Sequence, residues 1–247
     1  MEYFNPTRAF FPRVLYLFCA DLSKHGDEIF EHEPNETYFL GLSRYEPLYT
    51  VSQHGPNSSL PDLILHEGPY ETRRPLAVAR DGAIGSGHHS VITLPQLPRY
   101  ADDRVQCILY DVSRSPRLRL MFEVEVGTHP SHMRTEWFKW KEFHNYPLVE
   151  DMFGGWCEGR NTTIYKLVRI HRRPLHSGDD RGQYPKTEPV LYFIEFDDHL
   201  YGYVLEFLFQ DCVDVLGERF QLMAMMSALR ISQKRRRERI AFEDAGY

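Results

Sequence analysis

From Thr37 onward the chain alternates short β-prone runs with turn residues. YFLGL (38–42), LYTVSQ (48–53), DLILHE (62–67), LAVARD (76–81) and SVITL (90–94) come first. Turn punctuation separates most of them, at His54–Ser59, Gly68-Pro69, Asp81-Gly82 and Gly85–Gly87. Short strands spaced by roughly 10–14 residues with such signals predict an antiparallel sandwich or barrel, not βαβ units. The later runs are longer. VQCILY (105–110) leads to LRLMFEVEV (118–126), where Leu118, Leu120, Phe122, Val124 and Val126 alternate with Arg119, Met121, Glu123 and Glu125. That is a strand with one wet face. MRTEWFKWKEF (133–143) alternates too, one face carrying Thr135, Trp137, Lys139 and Lys141. TIYKLVRI (163–170) sets Ile164, Lys166, Val168 and Ile170 against Tyr165, Leu167 and Arg169. VLYFIEF (190–196), Asp197-Asp198-His199 and YGYVLEFLF (201–209) form the clearest hairpin. With Val14–Cys19 as a first strand, the count is twelve.

One segment breaks the two-residue beat. FQLMAMMSAL (220–229) has only Gln221 and Ser227 as polar side chains, so the helix it predicts is apolar nearly all round. A barrel of about eight strands is filled by its own side chains, and sixteen or more leave a channel. Twelve fall between, and a helix about 10–12 Å across is the right size to plug the lumen. The fifteen residues from Glu218 to Ser232 would span about 22 Å, close to the height of tilted strands of six to eight residues at about 3.3 Å each. Met223, Met225 and Met226, with Ala224 and Ala228, suit an irregular lumen. The alternative is an amphipathic helix on an open sheet; the all-round apolar character favours the plug. The expected fold is therefore mainly β, an antiparallel barrel of about twelve strands enclosing a hydrophobic C-terminal helix at about 217–240. Residues 1–36 form an N-terminal arm contributing the first strand, and 37–247 a single domain with no internal repeat.

Charge adds an asymmetry. The net charge is −6, yet residues 230–240 hold six Lys/Arg against Glu238, a local +5, leaving −11 for the rest. An acidic body with a basic tip argues against a general nucleic-acid binder and for a localised anion contact. The four cysteines (19, 107, 157 and 212) are too dispersed for a zinc site or a disulfide framework. The opening residues do not read as a secretory signal, and the longest apolar stretches are about half of the ~20 residues that span a bilayer. The expectation is an intracellular protein, cytoplasmic, peripheral to a membrane or nuclear, in which the sequons at Asn35, Asn57 and Asn161 arise by chance.

LGERFQLMAMMSALRISQKRRRERI (216–240) resembles the closing segment of a family of fungal proteins with a tubby C-terminal-like fold. MRTEWFKW (133–140) is similar to that family's Arg-x-Glu-x-Phe-x-Trp strand, and YKLVRI (165–170) to its Gly-Trp-Lys-Leu-Val-Arg strand. The three blocks cover the C-terminal half in the right order. Before about residue 100 only the general strand pattern agrees. Phe220 and Tyr165 stand where the family has Trp, Ser227 where it has Thr, and Glu158–Thr163 departs from its Gly-rich turn. The wider superfamily, with tubby proteins, phospholipid scramblases and LURP-one-related proteins, implies a twelve-stranded barrel around a central C-terminal helix. Tubby domains imply phosphoinositide binding through a basic cavity. Scramblase-like calcium binding is disfavoured, because no Asp-x-Asp-x-Asp run or cysteine cluster is present. For the fungal branch the resemblance implies no assigned activity.

No catalytic motif stands out, and no cofactor or metal is implied. Gly85-Ser86-Gly87-His88-His89 lacks the strand–turn–helix context of a phosphate loop, and His129 and His132 read as surface histidines in a turn. Glu123 with Glu125, and Asp197 with Asp198, read as solvated charge. The candidate site is the basic tip, Lys234, Arg235, Arg236, Arg237 and Arg239, joined by Arg169, Arg172 and Arg173 if the fold brings these to the same end; Arg73-Arg74 follows another turn. Lys234–Arg237 also fits a nuclear-import pattern. The bland account is that these cations keep an apolar helix soluble and suit its C-terminus electrostatically. The reading is a non-catalytic binding or regulatory protein contacting anionic phospholipid headgroups, phosphoinositides among them, or a partner protein through a basic barrel end. The alternatives are an adaptor acting through the charged 171–188 loop and, less favoured, an enzyme with an unrecognised site.

Overall fold

A computed structural model describes residues 11–12, 14–19, 35–43, 45–55, 57–82, 89–95, 105–112, 118–143, 162–171, 187–196, 203–206 and 210–244. The protein is mainly β, with antiparallel strands in one sheet and a single C-terminal helix. The strands are β1 (Val14–Cys19), β2 (Asn35–Ser43), β3 (Glu46–His54), β4 (Leu63–Glu67), β5 (Pro75–Asp81) and β6 (His89–Leu94). They continue with β7 (Val105–Asp111), β8 (Arg119–Val126), β9 (Arg134–Phe143), β10 (Thr162–Ile170), β11 (Thr187–Phe196) and β12 (Tyr203–Glu206). A single 3-10 turn, Pro130–His132, links β8 to β9. Each run read from the sequence is a strand, with its edges moved by a few residues. Each strand pairs with its chain neighbour, and β1 also pairs with β12 (Val14 opposite Glu206, Leu17 opposite Tyr203), so the pairings return on themselves.

Alternation sets which side chains meet inside. In β8, Leu120, Phe122, Val124 and Val126 are buried, while Arg119 and Glu123 are exposed. Phe138 and Trp140 of β9, and Tyr165 and Leu167 of β10, share that inner face. The helix α1 (Gln210–Asp244) follows β12. Its helical geometry breaks at Gly217 (φ 80°, ψ 177°), so the long segment begins at Glu218, close to the expected start.

Gly217 lies against Gly127 at the end of β8. The Gly127 N–H donates to the Leu216 carbonyl at 3.0 Å, and a Cβ on Gly217 would run into the Gly127 carbonyl oxygen. Beyond this point every residue from Arg219 to Gln233 is buried. Fifteen buried residues cover all faces of a helix, so α1 is surrounded by protein over about four turns. Phe220 packs on Phe138 at 4.6 Å between ring centres, and the Trp140 indole N–H donates to Ser227 Oγ at 2.8 Å. Ser227 Oγ donates in turn to the Ala224 carbonyl, so this inward hydroxyl is satisfied. Phe220, Leu222, Met223, Met225, Met226, Leu229 and Ile231 are all buried. At about 1.5–3 kcal/mol per side chain their burial is worth a gross ~10–20 kcal/mol, comparable to the whole net stability of a domain.

Candidate functional site

In an antiparallel sheet paired in chain order, connections alternate between two ends. Links after even-numbered strands fall at one end and links after odd-numbered strands at the other. Helix α1 starts where β8 finishes, at Gly127, which defines the entry end. It runs toward the end of β3, the start of β4 and the end of β5, where Arg237 donates to the His54 carbonyl at 2.8 Å. This is the exit end, and it receives the basic tip.

The exit-end cations are matched by carboxylates. Arg230 is wholly buried and donates from Nε to Ser90 Oγ (3.0 Å), with its remaining nitrogens on Asp81 and on Gln233 Oε1. Asp62 lies 3.7 Å away. Burial pushes the Asp81 carboxyl up, but its hydrogen bond to Arg230 and the charges of Arg230, Lys234 and Arg237 hold its pKa below the ordinary 3.8. Arg235 reaches Glu142 (3.2 Å), the Tyr165 hydroxyl (3.2 Å) and Glu238 (3.5 Å). Burial pushes the Tyr165 phenol well up, and Glu195 adds to this. Arg236 pairs with Glu36 at 2.8 Å and lies over the Tyr38 ring at 5.4 Å. Arg237 lies 3.6 Å from Asp62 and 3.8 Å from Asp81. Lys234 is partly buried; desolvation and Arg230 lower its pKa, while Asp81, Asp111 and Glu238 act the other way. The tip is therefore an ion-pair collar around the emerging helix.

Arg169 does not join it. It closes β10 at the entry end, donating to Glu136 (2.7 Å from Nη2) with Glu188 at 3.8 Å. Tyr165, the level of Arg235, is four residues away along β10, about 13 Å. Burial raises the Glu136 carboxyl, and hydrogen bonds from Arg169 and Arg134 overcome this and lower its pKa. Arg73 and Arg74, between β4 and β5, are also at the entry end, exposed. Arg172, Arg173 and 172–186 of the charged loop lie outside the described residues. Arg239 is helical, and its side chain lies outside them as well. The sequence reading missed Glu36, Asp62, Asp81 and Glu142, whose only advance signal was the −11 body.

Of the weaker candidates, Gly85–His88 and Asp197-Asp198 lie outside the described residues. Glu123 is exposed on the outer face of β8. The His129 and His132 rings are 5.9 Å apart, and His129 Nδ1 accepts from the Ser131 N–H as the cap of the 3-10 turn. Among the described residues no group of three His, Cys, Asp or Glu could hold a metal ion, and no helix is long and apolar enough to cross a membrane. A Ser52–His66 pair was not anticipated. His66 Nδ1–H donates to the Arg73 carbonyl (3.2 Å), which leaves Nε2 to accept from the Ser52 hydroxyl (2.9 Å). Both residues are buried, so the pair ties β3 to β4.

Comparison with known proteins finds no match: no family model fits the chain, and no curated protein or solved structure matches it.

Proposed function

We propose that this is a non-catalytic binding protein, regulatory in role, built on a barrel of tubby C-terminal-like type, and that its exit end meets anionic phospholipid headgroups. The observation that carries the reading is the filled interior. With residues 219–233 buried without a break, α1 takes up the space that a ligand uses in barrels of this size, which leaves recognition to the outer surface and the ends. At the exit end, Arg235, Arg236 and Arg237 keep 26–32% of their side-chain surface exposed while paired. A phosphate offers guanidinium groups the same bidentate geometry as a carboxylate with more charge, so it can compete with Glu36, Glu142 and Asp62 for their outer edges.

Flotation with phosphoinositide-containing and neutral vesicles tests this reading. Recruitment to the phosphoinositide vesicles alone, weakened by Arg236→Gln, is the expected result. Equal failure on both kinds of vesicle removes the lipid reading and leaves an adaptor role, read out by pull-down of protein partners.

A further inference from the structure

The wall is joined least well between β7 and β8. β6 pairs with β7 from His89 opposite Tyr110 to Leu94 opposite Val105, and β8 with β9 from Arg119 opposite Lys141 to Val126 opposite Arg134. Between β7 and β8 the register holds only at Tyr110–Met121 and Asp111–Leu120, next to the bond from the Val112 N–H to the Arg119 carbonyl. Carried on, it would set Leu109 opposite Phe122, Cys107 opposite Val124 and Val105 opposite Val126. All six of these residues are described, and none of those pairings forms. β7 begins and β8 finishes at the entry end, so the two strands are joined at the exit end and part toward the entry end.

The start of α1 lies in this opening. Leu216 accepts the Gly127 N–H just past the end of β8, and Gly217 lies against the same glycine. Arg219, only 2% exposed, then donates from Nη1 to Glu125. Glu125 is 41% exposed and alternates with the buried Val124 and Val126, so it belongs to the outer face. An arginine of an enclosed helix reaches an outward carboxylate only where the wall is open, through it or at its rim. Burial raises the pKa of the inward Cys107 thiol on β7, and the Arg219 charge acts against this, which puts the guanidinium on the β7 side of β8.

We propose that β7 and β8 form a door in the wall, hinged at Tyr110–Met121 and latched by Arg219 on Glu125, that opens while the rest of the sheet stays folded. Parting two fully paired strands breaks a ladder of hydrogen bonds, each net favourable. Here no ladder joins residues 105–109 to 122–126, so opening breaks the latch and the apolar contacts of the first helical turn alone. Such a local opening lies below the free energy of global unfolding. It uncovers Cys107 and the first turn of α1, and it involves no residue of the exit-end collar.

Cys107 reports the door directly. The full chain is labelled with iodoacetamide at rising urea, below the unfolding transition, and the Cys107 peptide is followed by mass spectrometry. A door exposes little surface, so the rate is expected to change little with urea at first and to steepen only where global unfolding takes over. Glu125→Gln removes the charge of the latch from a half-exposed side chain. It is expected to speed Cys107 labelling roughly three- to tenfold, and to quicken hydrogen exchange in peptides spanning 105–109 and 122–126 but not in 134–143 or 162–170. Leu40→Val, in β2 on the opposite side of the ring of pairings, is expected to lower Tm and leave the low-urea labelling rate at the wild-type value. A rate that climbs from zero urea with the full slope of unfolding overturns the proposal. So does unchanged labelling in Glu125→Gln, acceleration spread evenly over all strands, or a Leu40→Val effect as large as that of Glu125→Gln.

Discussion

Asp81→Asn is the sharpest probe of the collar, because it changes one charge and almost no volume. Arg230 is wholly buried, and among the described residues Asp81 is one of two carboxylates within 4 Å of it, the other being Asp62 at 3.7 Å. Removing one partner of a fully buried ion pair costs about 3–5 kcal/mol. Asp81 is 59% exposed, so solvent screening reduces its share, and Asp62 stays behind. The expected loss is about 1–2 kcal/mol, or a fall in Tm of roughly 2–8 °C for a chain of this size. A double-mutant cycle with Arg230→Met checks the cause. Without the guanidinium, Asp81→Asn should cost much less, since only the longer, solvent-screened contact with Arg237 and the charge of Lys234 remain. The pH dependence has a definite sign. The Asp81 pKa is below its ordinary 3.8, so the stabilisation is complete well above 3.8 and is lost as pH falls through the lower folded-state value. In urea titrations the gap between wild type and Asp81→Asn should hold steady from about pH 7 to pH 5 and close below about pH 4. A gap equally large at low pH, or an equal cost in the Arg230→Met background, would refute the reasoning.

Two further outcomes follow from the entry end and the core. Gly217→Ala places a Cβ at a backbone conformation almost confined to glycine and drives it into the Gly127 carbonyl; urea melts should show a loss of about 2–5 kcal/mol, and an unchanged midpoint would mean that the two glycines do not meet. Burial pushes the Cys107 thiol from 9.0 up to about 11, so at pH 8 iodoacetamide should modify its peptide, followed by mass spectrometry, far more slowly in the folded protein than in urea.

The strands were legible because each is a short β-prone run, most of them set off by turn residues, and pairs with its chain neighbour, so no distant information is needed. The helix was legible because its apolar run has no wet face. What local pattern could not supply was the partner of each charge. Arg230 and Asp81 are 149 residues apart, and Arg169 precedes a basic run that reads as part of the tip. Parity of the strand count decides its place: a link after an even-numbered strand lies at the end where the helix enters, with the tip about 27 Å away over the eighteen residues from Glu218 to Arg235. The pairing of β1 with β12 joins strands from the two extremes of the sheet's order, and only the expectation of a barrel, not any local signal in either strand, pointed to it.

That order has a consequence for how the molecule is made. The element that every inward side chain needs is threaded out of the ribosome after all the strands, and the seam between β1 and β12 cannot form until nearly the whole sheet has emerged. During synthesis the inner faces therefore wait without their partner, exposing apolar surface and strand edges that favour aggregation. Folding dominated by such distant contacts is slow, in the range of milliseconds to seconds or longer.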